Sequence, residues 1–215
     1  MTDTVTAGAR TTSLHRVGRA VAVAAPGLVL AVLGLFHPRV LAQSTAGAWW
    51  QLHVVALPLF PLLAVALWVL LRGETGVVAW LARIAAYSYA AFYTALDVLA
   101  GIGAGYLVDR AQSGSQEAND LRSLGNDLGM IGSWSFLVAV VLTGFVLVRR
   151  DGWAALPGAA ILFGGAASFL HGHIYWPSGG LAMVAVAGGC AALAWAAGTR
   201  PAPQPGGTAP VPSSS

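Results

Sequence analysis

The chain has 215 residues, of which 57% are hydrophobic and only 9% charged, with a formal net charge of +3. A soluble domain carries about 25% charged residues and needs them to cover its surface. The composition therefore argues against a soluble enzyme, a disordered regulator or a secreted disulfide scaffold, and for an all-α integral membrane protein.

All eleven basic residues are Arg. They lie singly or in pairs between apolar runs, with no basic stripe of the kind that tracks a phosphate backbone. No nucleic-acid partner is expected; the partner is the lipid bilayer. Arg without Lys, beside abundant Ala and Gly, points to a GC-rich prokaryotic genome and hence to a prokaryotic plasma membrane.

In chain order, residues 1–16 read as a polar tail. A membrane-spanning helix needs about 20 predominantly apolar residues, and the first such run gives a span over about 18–37. A basic start, an apolar run and Val40-Leu41-Ala42 before Gln43 also have the layout of a signal peptide. The run is long for that role, and Pro38 and Arg39 crowd the supposed cleavage point, so the segment is read as a retained helix. The second span covers about 49–71, with Pro58 and Pro61 inside it, and the third about 77–108, whose run from Ile84 to Val108 is broken only by Asp97.

Residues 109–127 read as the longest loop and 128–148 as the fourth span. The charge-free stretch 152–199 would be roughly 70 Å long as one helix, too long for a bilayer of about 30 Å. It must turn back, and Trp176-Pro177-Ser178-Gly179-Gly180 supplies turn chemistry. Spans over 154–173 and 179–198 follow, giving a bundle of six transmembrane helices. Residues 200–215, rich in Pro, Gly and Ser, read as a disordered tail. With the N-terminus inside, seven Arg fall on the cytoplasmic side and Arg39, Arg110 and Arg122 on the other. This Arg bias places both termini in the cytoplasm; Arg83 is expected to reach the cytoplasmic headgroups.

There is no phosphate-binding Gly motif, no H-E-x-x-H and no Cys pair; Cys190 is the only cysteine. What remains is the placement of a few polar residues. His37, His53, His171 and His173 all fall near the extracytoplasmic face, while His15 lies at the other side. Imidazole is the commonest transition-metal ligand and an axial ligand of many haems. His53 with His171 or His173 forms the core of a candidate ligand set, and His37 is an optional third. His171 and His173 are two residues apart, so on one helix they point about 200° from each other. They converge only if the chain leaves helical geometry near Gly172. The same histidines also suit the headgroup level with nothing bound, beside Trp49, Trp50, Tyr175 and Trp176.

Asp97 stands near mid-bilayer, where an Asp costs about 2.5–3.5 kcal/mol to insert and should face the bundle interior or water. Tyr93 and Gly101, one turn either side, share its face. Tyr93 is placed to donate to the carboxylate, and Gly101 with Gly105 forms a small-residue face for close helix approach. Asp97 and Tyr93 are the candidate proton-handling or catalytic pair.

Three functions are compatible with this pattern. One is a membrane-embedded enzyme holding a transition metal or a single haem. Another is a small proton-coupled transporter or resistance protein, expected as a homodimer and acting on a small or lipid-soluble compound. The last is a membrane subunit without chemistry of its own.

Overall fold

The computed structural model describes residues 3–111 and 115–197, those before residue 13 by backbone alone. All regular structure among them is helical: α1 (Asp3–Gly34), α2 (Ala46–Ala56), α3 (Leu59–Leu70), α4 (Val77–Leu96), α5 (Ala104–Ala111), α6 (Gln116–Asp151), α7 (Leu156–Gly172) and α8 (Ser178–Ala196). A π-helical segment, Asp97–Gly103, joins α4 to α5, and a 3₁₀ turn, Gly152–Ala155, joins α6 to α7.

Five helical stretches are long and apolar enough to cross a membrane: Ser13–Gly34, Ala46–Leu70, Val77–Ala111, Gln116–Gly172 and Ser178–Ala196. The fourth contains both α6 and α7. Between them Gly152 takes φ +68°, which glycine adopts without a Cβ penalty. A Cβ built on Gly144 would lie 3.3 Å from that of Ala159, and Phe136 sits 6.0 Å from Phe169. The later contact on α6 thus meets the earlier one on α7, and the two helices are antiparallel.

Two segments differ from expectation. The expected loop at 109–127 is mostly helix, since α5 reaches Ala111 and α6 starts at Gln116. Ser115 caps α6 by accepting from the Ala118 N–H at 3.2 Å, a bond that offsets the unpaired donors of a helix start. Gly125, Gly129 and Gly132 then let this polar part of α6 lie directly against Ala100, Leu96 and Tyr93. The expected N-terminal tail is helical from Asp3. The expected tail at 200–215 lies outside the described residues.

Apolar area drives little helix association in lipid, where close packing of small residues takes over. Gly27 of α1 meets Met183 and Ala187 of α8, and Gly34 meets Ile174, so these helices also run antiparallel. Pro58, which has no N–H to offer the carbonyl one turn earlier, marks the break between α2 and α3. Beneath that break lies a fully buried aromatic column of Phe60, Tyr89, Phe136 and Phe169, with Tyr93 against it. At the far end of α3, Arg19 donates to the Val69 carbonyl (3.0 Å), Arg83 to Leu71 (2.7 Å) and Arg150 to Leu70 (3.4 Å). Arg83 is thereby turned onto a helix C-terminus, and it also stacks on Trp80 at 5.0 Å.

Candidate metal centre

At the opposite end of the bundle three histidines meet, one from the α1–α2 connection, one from α2 and one from the α7–α8 connection. His37, His53 and His173 each present one ring nitrogen, and these atoms lie within 4.8 Å of one another. His37 and His53 are buried and His173 half-buried.

His37 leaves α1 through a tightened last turn, with Leu35, Phe36 and His37 N–H groups donating three residues back to Val32, Leu33 and Gly34. Pro38 then disfavours helical geometry for His37. Its Nδ1 lies 2.6 Å from the Pro38 carbonyl, and its ring stands edge-on to Trp49 and Tyr175 at 4.9 and 4.7 Å.

His53 sits within α2, its Nδ1 2.8 Å from the Trp49 carbonyl one turn earlier. Its ring lies over Gly101, where any Cβ would collide with it. The π-helical segment carries that glycine, and the Trp49 indole N–H donates to its Ala100 carbonyl at 3.1 Å. Gly105 similarly seats Trp49 and Trp50. The small-residue face expected at Gly101 and Gly105 is thus the bed of α2.

His173 follows α7 directly and has φ 42°, ψ −134°, a combination that L side chains rarely adopt and glycine favours. Such backbone costs on the order of 1–3 kcal/mol and clusters at functional sites. Gly172 stays helical, so close to Gly179 that a Cβ built on it would lie 3.0 Å from the Gly179 nitrogen; the departure is at His173 itself. It swings the ring off the helix line and toward His37 and His53, with ring centroids 5.4 and 6.1 Å away. The His173 Nδ1 lies 2.5 Å from the Tyr93 hydroxyl. Arg39 donates to the Trp176 carbonyl at 2.8 Å, and Trp176 to that of Ala31 at 2.7 Å, tying the two histidine-bearing connections together.

These hydrogen bonds decide the tautomers. A backbone carbonyl only accepts, so Nδ1 of His37 and of His53 must carry the proton, leaving Nε2 of each as a lone pair. The two Nε2 atoms are 3.4 Å apart. Nitrogens bound to one tetrahedral ion at 2.0–2.1 Å are about 3.3 Å apart. The Tyr93 hydroxyl can donate or accept, so its contact orients the His173 ring without fixing the tautomer.

The remaining candidates fall elsewhere. His171 is exposed and outside the trio. Asp97 is fully buried, and neither carboxylate oxygen has a hydrogen-bond partner among the described residues; the Tyr89 hydroxyl is likewise unpartnered. Tyr93 meets His173 and not the carboxylate one turn along. The residues that support the trio, Trp49, Gly101 and Tyr175, carried weaker signals in the sequence: one glycine at a packing spacing and two belt aromatics. No known protein family matches this chain, and no curated protein or solved structure does so either.

Proposed function

We propose that the protein is an integral membrane metalloprotein that holds one transition-metal ion on His37, His53 and His173 and serves as a membrane-embedded, metal-dependent enzyme. The observation that carries this reading is the 3.4 Å approach of two Nε2 atoms whose Nδ1 protons are committed to carbonyls. Two lone pairs face each other there, an arrangement that a cation between them relieves.

Three neutral nitrogens suit zinc, copper, iron or nickel. Three protein ligands and a free fourth position are typical of catalytic zinc sites, whereas structural ones are closed by a fourth residue. A bare ion fits better than haem, because the trio converges from three sides and His37 is hemmed by Trp49 and Tyr175. When bound, such an ion polarises an oxygen ligand and lowers the pKa of water. The protein's part is orientation: the Pro38 and Trp49 carbonyls hold two rings, and the Tyr93 hydroxyl holds the third.

The antiparallel α1–α8 and α6–α7 pairs support six spans with both termini on the side opposite the histidines. The Arg bias makes that side cytoplasmic and puts the site near the outer face of a prokaryotic plasma membrane. Asp97 favours a second reading, a small proton-coupled transporter, because a buried acid without a partner suits proton movement through the bundle.

Metal analysis of the purified protein tests the first reading. We expect one zinc or similar ion per chain in the wild type and in His171→Ala, and loss of it in His37→Ala, His53→Ala and His173→Ala. A protein that takes up no metal, or a His171→Ala variant as depleted as His173→Ala, overturns it. Reconstituted transport that responds to pH in the wild type but not in Asp97→Asn would favour the second reading.

A further inference from the structure

A cavity of about 460 Å³ adjoins the trio, within the 300–1,000 Å³ range of small-molecule sites. His53 and His173 form part of its wall, so the place left free on the trio borders it. Its lining includes Arg39, Arg122 and Asn126, and no Asp or Glu among the described residues. The Arg39 guanidinium spends one N–H on the Trp176 carbonyl, out of five donors. Arg122 makes no hydrogen bond or ion pair among the described residues, and it shares the lining with Tyr175, whose ring lies 4.7 Å from that of His37. The lining is otherwise largely apolar, with Leu96, Met130, Phe169 and Leu170.

We propose that this cavity binds a compound bearing a carboxylate or phosphate group, with the oxyanion between Arg39 and Arg122 and an apolar body running along α4, α6 and α7. Two guanidiniums without a carboxylate in the lining favour an anion, since Arg presents paired donors matched to carboxylate and phosphate oxygens. The apolar wall favours an amphiphile over a fully solvated ion. The proposal rests on the metal reading only for the ligand's approach to the trio; the Arg contacts stand without it.

Calorimetric titration of the full-length protein in amphipol, after metal loading, separates the possibilities. The probes are inorganic phosphate, acetate and octanoate, applied to the wild type and to Arg39→Gln/Arg122→Gln. Metal content is measured on the same samples. We expect saturable binding of octanoate, with affinity lower by about tenfold or more in the double variant, the scale of one lost charge-assisted hydrogen bond, and metal content unchanged. Octanoate binding tighter than acetate or phosphate identifies an amphiphile; equal binding of all three identifies a free oxyanion, and either supports the anion site. No saturable binding of any probe, or equal affinity in wild type and double variant, overturns the proposal even if metal is bound. Arg-dependent anion binding by a protein without metal supports it while removing the metal reading.

Discussion

Where α3 stops, Arg19, Arg83 and Arg150 donate to the Val69, Leu70 and Leu71 carbonyls, and Arg150 also pairs with Asp151 at 2.7 Å and Glu74 at 3.4 Å. At the other end of the same kinked α2–α3 span, His37, His53 and His173 each have one nitrogen on a fixed partner, and ring nitrogens of all three lie within 4.8 Å of one another. Both ends bury polar groups. The first pairs carbonyls with guanidiniums at a helix C-terminus, where cations are favoured by the helix dipole. The second brings the His37 and His53 acceptor nitrogens face to face. Paired donors and acceptors hold a bundle together, whereas converging lone pairs await a cation, and substitutions at the two ends should therefore change different quantities.

The largest effect is expected from Gly101→Ala. Its Cβ would enter the His53 ring, so α2 and the π-helical segment must separate. Metal stoichiometry should collapse, with a thermal-stability loss of about 1–3 kcal/mol from overpacking. Full metal content in this variant would mean that His53 is not held where the glycine seats it.

Arg150→Gln addresses the other end. Hydrogen bonds to charged groups contribute about 1.5–3 kcal/mol, and a loss of that order is expected in thermal unfolding, with metal content untouched. A drop in metal content would show that the two ends are coupled through α3 and would break the contrast.

How far the sequence reached follows from the kind of signal each feature leaves. Apolar run lengths found the helical stretches, and the Arg pattern separated one end of the bundle from the other. The extension of α6 through 116–127 escaped because Glu117, Asp120 and Arg122 read as loop, while the cause lies in a glycine ridge at Gly125, Gly129 and Gly132 that packs on α4 and the π-helical segment. His53 and His173 could be placed at one depth from helix length alone. The choice of His173 over His171 could not, because it depends on one backbone angle at a non-glycine residue. His37 lies beyond the end of its helix, so no periodicity assigns it a direction; its turn bonds and Pro38 do. Tyr93 lies on the Asp97 face by spacing, but its hydroxyl is drawn to His173 by a helix 80 residues away in sequence.

Tyr93→Phe gives a smaller and sharper reading. It removes the hydroxyl against His173 Nδ1 and keeps the ring in the aromatic column. Partners of this kind typically alter metal affinity by 10–100-fold, and a weakening of about that size is expected in competition with a chelator, without a change in helicity. Unchanged affinity would mean that the strained backbone at His173 is enough to aim its ring.

The smallest effect isolates that backbone. At φ 42° a Cβ is penalised and glycine is not. His173→Gly and His173→Ala both lose the ring, the Tyr93 contact and a candidate ligand, so the difference between them reports the backbone. His173→Gly should be the more stable of the two in thermal unfolding by about 1 kcal/mol, the lower end of the cost of such conformations. Equal stability would mean that the connection from α7 to α8 relaxes once the ring is gone, so that the histidine side chain holds the turn open. A more stable glycine variant would mean that the Arg39–Trp176 and Trp176–Ala31 bonds and the Gly172–Gly179 contact impose the turn, and that the bundle bears a standing backbone cost which presents the third nitrogen to the trio.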